Sequence, residues 1–139
     1  MKKLIVFLTL FTFCHGSFAQ NTFTAKTFNE FLNEYKKDSK AFFINRLSSD
    51  FRSANEDGIY AGKEDFISAD AQQIVNTEIL KPVIFQSNDL AVVSGIHKTE
   101  RVESDGSKSK SQVACTYTFQ KRKNKWMFVA AQQTRIANQ

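Results

Sequence analysis

The chain has 139 residues, a formal charge of +5 and two cysteines. That length suits one domain with a real core, and so mild a basic balance gives no footprint for nucleic acid. Two of the positive charges, Lys2 and Lys3, belong to the extreme N-terminus, and without them the charge falls from +5 to +3.

Those two lysines precede an apolar run over residues 4–13 and then Ser17-Phe18-Ala19, with small residues at the two positions a signal peptidase reads. Cleavage after Ala19 is expected, which makes residues 1–19 a signal peptide and residues 20–139 one domain. The apolar run is half of the roughly twenty residues that span a bilayer. Phe13 also stands before Cys14 where lipoprotein processing needs a small residue. The expected product is exported, periplasmic or extracellular, with no stable membrane anchor. Only Cys115 remains in it, which rules out an internal disulfide. Packing must hold the fold, and fourteen Phe in the full chain suggest how.

Thr27-Phe28-Asn29-Glu30 fits the capping-box pattern at a helix start. Phe28, Phe31, Leu32 and Tyr35 follow at helical spacing. Asp38 or Ser39 is placed to cap a second helix carrying Phe42, Phe43 and Leu47. Asp50 then falls at the junction between helices and sheet. Asn55-Glu56-Asp57-Gly58 has the composition of a turn. A third short helix is expected after Gly62, with Glu64 and Asp65 complementing its dipole.

From about Ile74 the pattern is of strands. Residues 82–86 are an apolar run ended by Asn88-Asp89, and residues 90–101 lead into Asp105-Gly106, a hairpin signal. Residues 112–121 return, and the basic cluster over 121–125 reads as a solvated hairpin tip. The last strand is apolar at every position from Trp126 to Ala131 and polar from Gln132 to Arg135. Either its amides reach a pocket mouth or rim, or it is an edge strand with a wet end. The class is α+β, helices first and then an antiparallel meander.

Four stretches in order, at 46–51 (RLSSDF), 62–66 (GKEDF), 90–95 (LAVVSG) and 125–132 (KWMFVAAQ), resemble marks of the NTF2-like superfamily, nearest its DUF4440 or SnoaL-like branch. The resemblance covers nearly all of residues 20–139. It implies a cystatin-like cone: N-terminal helices packed into a strongly curved antiparallel sheet, a pocket between them, and homodimers formed through the outer sheet face. Ketosteroid isomerases and SnoaL-type polyketide cyclases share that superfamily. Aligned loosely with the isomerases, their base position falls near Asn55, their tyrosine near Phe31 and their second acid at Cys115. None of these replacements can move or donate the required proton.

Ligand-pocket candidates are Asn55, Tyr60, His97, Cys115, Tyr117 and Gln133. By alternation His97 shares a face with Val93, Gly95 and Thr99, and the implied register puts that face inside with Cys115. Tyr60, Tyr117 and Trp126 offer aromatic walls with a polar edge, as pockets and cores both do. His97 and Cys115 are too few for a metal site, and no cofactor is indicated. The expected function is a non-catalytic module binding a small apolar or carbonyl-bearing ligand. The alternatives are an acid–base enzyme on a hydrophobic carbonyl substrate and a protein-interaction module.

Overall fold

The computed structural model describes residues 22–136. The signal-peptide assignment at residues 1–19, with Cys14 in it, lies outside them. The first helix, α1 (Ala25–Lys37), starts two residues before Thr27. Its N-cap is Thr24, whose hydroxyl accepts from the Thr27 N–H at 3.2 Å. The reason is a hydrophobic staple: Phe23 just before the cap packs on Phe28, with ring centroids 6.5 Å apart. The Phe23 N–H is tied to Gln86 Oε1 at 2.6 Å, fixing where the chain enters the helix.

Helix α2 (Ser39–Arg46) is capped by Asp38, whose carboxylate accepts from the Ala41 N–H at 2.9 Å. Arg46 clasps the two helices. Its Nε donates to Glu34 Oε2 at 2.5 Å, and its guanidinium lies 4.7 Å from the centre of the Phe31 ring. Ser39, 2% exposed, exchanges hydrogen bonds with the backbone of Gln72 and so pins α2 to the start of the long strands.

Two helices come first, as expected, and the sheet begins before the third. Leu47 leaves α2 and opens β1 (Leu47–Ala54), which forms a hairpin with β2 (Tyr60–Gly62) before α3 (Lys63–Ser68). Ser48, Ser49, Asp50 and Ser53 hid β1 from the sequence reading, because they are poor strand formers. Asp50 is a strand residue on the surface, paired with Arg122 at 2.7 Å. Helix α3 follows Gly62 as expected, with the Gly62 N–H donating to Asp65 Oδ2 at 2.7 Å. Lys63 caps the other way, donating to the carbonyls of Ile44 and Leu47 at the end of α2.

Four long strands complete the sheet: β3 (Gln73–Ser87), β4 (Leu90–Val102), β5 (Lys108–Arg122) and β6 (Lys125–Arg135). The strand order is β2-β1-β6-β5-β4-β3. All neighbours are antiparallel except β1 and β6, which run parallel. The last strand is therefore not an edge.

Bulges bend this sheet around the helices. One extra residue of β3 stands between the pairs Leu80–Ile96 and Val83–Ser94, where Lys81 has a φ of 50°. Gly95 faces that bulge, and a Cβ there would lie 2.6 Å from Ile79 Cγ2 and 2.9 Å from the Leu80 carbonyl. Only glycine permits so close a fold. In β6, Val129 is the extra residue between the pairs Phe119–Phe128 and Thr118–Ala130. It switches the inward set from Trp126 and Phe128 to Ala131 and Gln133. This is why the strand is apolar on both faces before the bulge and carries one inward and one outward amide after it.

The concave face is filled by rings. Phe119, 1% exposed, has Phe23 at 4.7 Å and Phe31 at 4.8 Å between centroids, and stacks on Phe128 at 4.9 Å. Burying each such side chain contributes about 1.5–3 kcal/mol. The convex face is different. Val83 and Phe85 are 65% and 63% exposed there, beside half-buried Val92, Ile96 and Met127.

Candidate functional site

Between the helices and the concave face lies a cavity of about 280 Å³. Rings and aliphatic groups from every layer line it: Phe28, Phe31 and Leu32 of α1, Phe42 of α2, Phe51 of β1, Phe66 of α3, and Phe119 and Phe128 of the sheet. Four of the six candidates read from the sequence also line it, namely Asn55, His97, Tyr117 and Gln133. Among the described residues, no Asp, Glu, Lys or Arg does.

Tyr60 is placed elsewhere. It is 82% exposed on β2, because that strand is only three residues long and nothing lies beyond it. Cys115 is next to the cavity but not in its wall; its thiol is turned to the Gly95 carbonyl at 3.5 Å and is 4% exposed. Burial raises its pKa, so it stays a thiol. Phe31, at the isomerase tyrosine position, is a core ring.

The polar groups form one chain across four strands. Gln133 Nε2 donates to the Tyr117 hydroxyl at 2.9 Å, and that hydroxyl lies 2.6 Å from His97 Nδ1. His97 Nε2 is 2.8 Å from Thr77 Oγ1 and 3.1 Å from Thr99 Oγ1. The order Gln133 to Tyr117 to His97 to a threonine satisfies every member with the ring proton on Nε2. Thr99 shared the His97 face in the sequence; Thr77 was missed, since its place depends on how the β3 bulges set the register.

Electrostatics keep this chain neutral. Burial drives the His97 pKa down to about 4 and the Tyr117 pKa well above its usual value. At neutral pH the imidazole is uncharged and the phenol keeps its proton. With no carboxylate in the wall, the chemistry on offer is hydrogen bonding to a bound group. Among the described residues, no three His, Cys, Asp or Glu converge to hold a metal ion.

Asn55 belongs to the loop that joins β1 to β2. Its Oδ1 accepts from the N–H groups of Asp57 and Ile59 at 3.0 and 2.8 Å, shaping a turn completed by Gly58 at φ 77°. Ile59, 61% exposed, lines the cavity from this loop. Beyond it lies a more polar vestibule that shares Asn55, His97 and Gln133 with the cavity and carries Glu56, Asp57, Asp70 and Arg101.

The family model of the calcium/calmodulin dependent protein kinase II association domain matches residues 63–136, from α3 through the end of β6. No curated protein matches the chain. Among solved structures, an NTF2-like protein of unknown function in nutrient uptake from Rhodospirillum rubrum superposes with a TM-score of 0.70 at 16% identity, over 83% of this chain and 100% of that one. An NTF2-like protein from Cytophaga hutchinsonii gives 0.69 at 14% identity, over 83% and 100%. The association domain of the C. elegans kinase gives 0.59 at 14% identity, over 78% and 90%. These likenesses show an NTF2-like fold, the superfamily that the four sequence stretches resemble.

Proposed function

The chain belongs to the calcium/calmodulin dependent protein kinase II association domain family, and from that premise we propose that it is an exported, non-catalytic module that holds a small, mostly apolar molecule in its cone and pairs with a second copy of itself. The pocket reading rests on one observation: a cavity of about 280 Å³ with apolar walls, no charged lining residue and a few convergent polar groups. An acid–base enzyme would need a titrating group aimed at its substrate. Here the cavity-lining histidine, His97, is neutral at physiological pH and already engaged on both nitrogens.

Pairing is supported by the convex face of the sheet, where Val83, Phe85 and Leu90 are exposed together. Export is supported by the basic, then apolar, then small-residue order of residues 1–19. Native mass spectrometry of the protein taken from its own host tests the reading in one measurement. A dimer is expected, with extra mass on each subunit and residues 1–19 removed. A bare monomer retaining its leader would overturn all three parts.

A further inference from the structure

Two amides of the cavity wall each keep one end that the protein itself does not use. Asn55 Oδ1 is taken by two backbone N–H groups, so Nδ2 is the free end of that amide. Gln133 Nε2 is spent on Tyr117, so Oε1 is the free end of the other. Neither free atom has a partner among the described residues, although both side chains are half-buried cavity lining. They are neighbours as well: Ala54 is paired with Gln132 across the parallel β1–β6 ladder, and Asn55 and Gln133 are the next residues along. The rest of the polar chain is satisfied internally and offers nothing further.

Resting on the pocket reading above, we infer that the cavity selects an uncharged ligand with an apolar body and a terminal hydroxyl, phenol or alcohol, seated between Asn55 and Gln133. A hydroxyl accepts from Asn55 Nδ2 and donates to Gln133 Oε1 at once, whereas a carbonyl serves only the first. A carboxylate would face the Gln133 oxygen with no cation in the wall. The nearest vestibule arginine, Arg101, is already held by Glu103 at 3.0 Å. An ammonium would lose its hydration against the rings, and the carboxylates nearby, Glu56, Asp57, Asp65 and Asp70, belong to the vestibule and not to the cavity wall. As to size, an apolar cavity of about 150 Å³ takes benzene, so one of about 280 Å³ takes roughly two rings.

A matched series tests this by calorimetry on the purified protein: naphthalene, naphthol, naphthoate and naphthylmethylamine, one substitution position throughout. Naphthol is expected to bind about tenfold tighter than naphthalene, two modest hydrogen bonds' worth, and both ions more weakly than naphthalene. In Gln133→Met, naphthol should bind no tighter than naphthalene does to the same variant. Equal binding of naphthol and naphthalene, or tightest binding by either ion, overturns the hydroxyl inference and leaves the pocket reading standing. If no member binds, naphthalene included, the pocket reading falls and takes this inference with it. Should the variant fail to fold, the series on the unaltered protein decides alone.

Discussion

Near the β5–β6 hairpin, Phe119, Phe128 and Trp126 meet Phe23, Phe28 and Phe31 in a packed ring cluster. One pleat further along the same two strands, Tyr117 and Gln133 meet His97 and the threonines in a hydrogen-bonded chain. Both regions are buried and both face the helices. At the first, exclusion of water is wholly favourable and shape decides the packing. At the second, the same exclusion takes the charge from His97 and holds its two ring nitrogens and the Tyr117 hydroxyl in hydrogen bonds. The cone is thus rigid at one end and hydrogen-bonded at the other, with a cavity between.

The contrast is broken most severely by Phe119→Ala, which opens a void under four rings. It should cost about 3–5 kcal/mol, read as a drop in the urea midpoint. A loss under about 1 kcal/mol would mean the ring end collapses freely and is not the rigid end.

Next in size is the pH response of the polar end. The folded His97 value of about 4 lies below its unfolded value of 6.5, so the unfolded chain takes up the proton first. Stability is full above about pH 6.5, falls as pH drops toward 4 and levels off below that. The total loss is about 3 kcal/mol. His97→Gln should flatten this part of the urea stability profile. The lowered carboxylates Glu34, Glu103 and Asp105 act at the acid end of that range and below, and should respond alike in both proteins. An identical slope in the variant would show that His97 is not the group responsible.

The smallest expected effect sharpens the comparison. Tyr117→Phe keeps the ring and its 5.3 Å contact with Phe128 but leaves His97 Nδ1 and Gln133 Nε2 without their partner. About 1–3 kcal/mol should be lost, together with an altered His97 ring signal in NMR. A stable variant with an unchanged ring signal would make the hydroxyl incidental.

Much of this was legible in the chain. Helical spacing of Phe28, Phe31 and Leu32 gave a buried face, Asp38 and Gly62 gave helix starts, and Asp105-Gly106 with Lys123-Asn124 gave hairpins, the latter pair both at positive φ. That His97 and Thr99 share a face followed from alternation, and its inward direction from the register that the resemblance implies. Other features were not legible for identifiable reasons. Strand β1 is serine-rich and is held by β6, some seventy residues away, so no local preference marks it. The Thr24 cap was passed over for Thr27 because the staple that favours it uses Phe23, outside the capping-box pattern. Tyr60 read as a pocket wall because an aromatic with a polar edge suits a core, a pocket or an exposed edge equally well.

The sequence by itself determined the chemistry available: a phenylalanine-rich core, a histidine on a strand face, and Asn55, Phe31 and Cys115 where the resemblance puts an isomerase's base and acids. Those follow from residue identity and short periodicities, which act over a few positions. Tertiary structure alone decided which of these groups meet. The bulge at Val129 turns Gln133 inward, and the parallel β1–β6 ladder sets Asn55 beside it. The fold of β3 over Gly95 completes the bend that encloses the cavity. Each is a matter of register between distant segments, and a shift of one residue would send the same side chains to the opposite face.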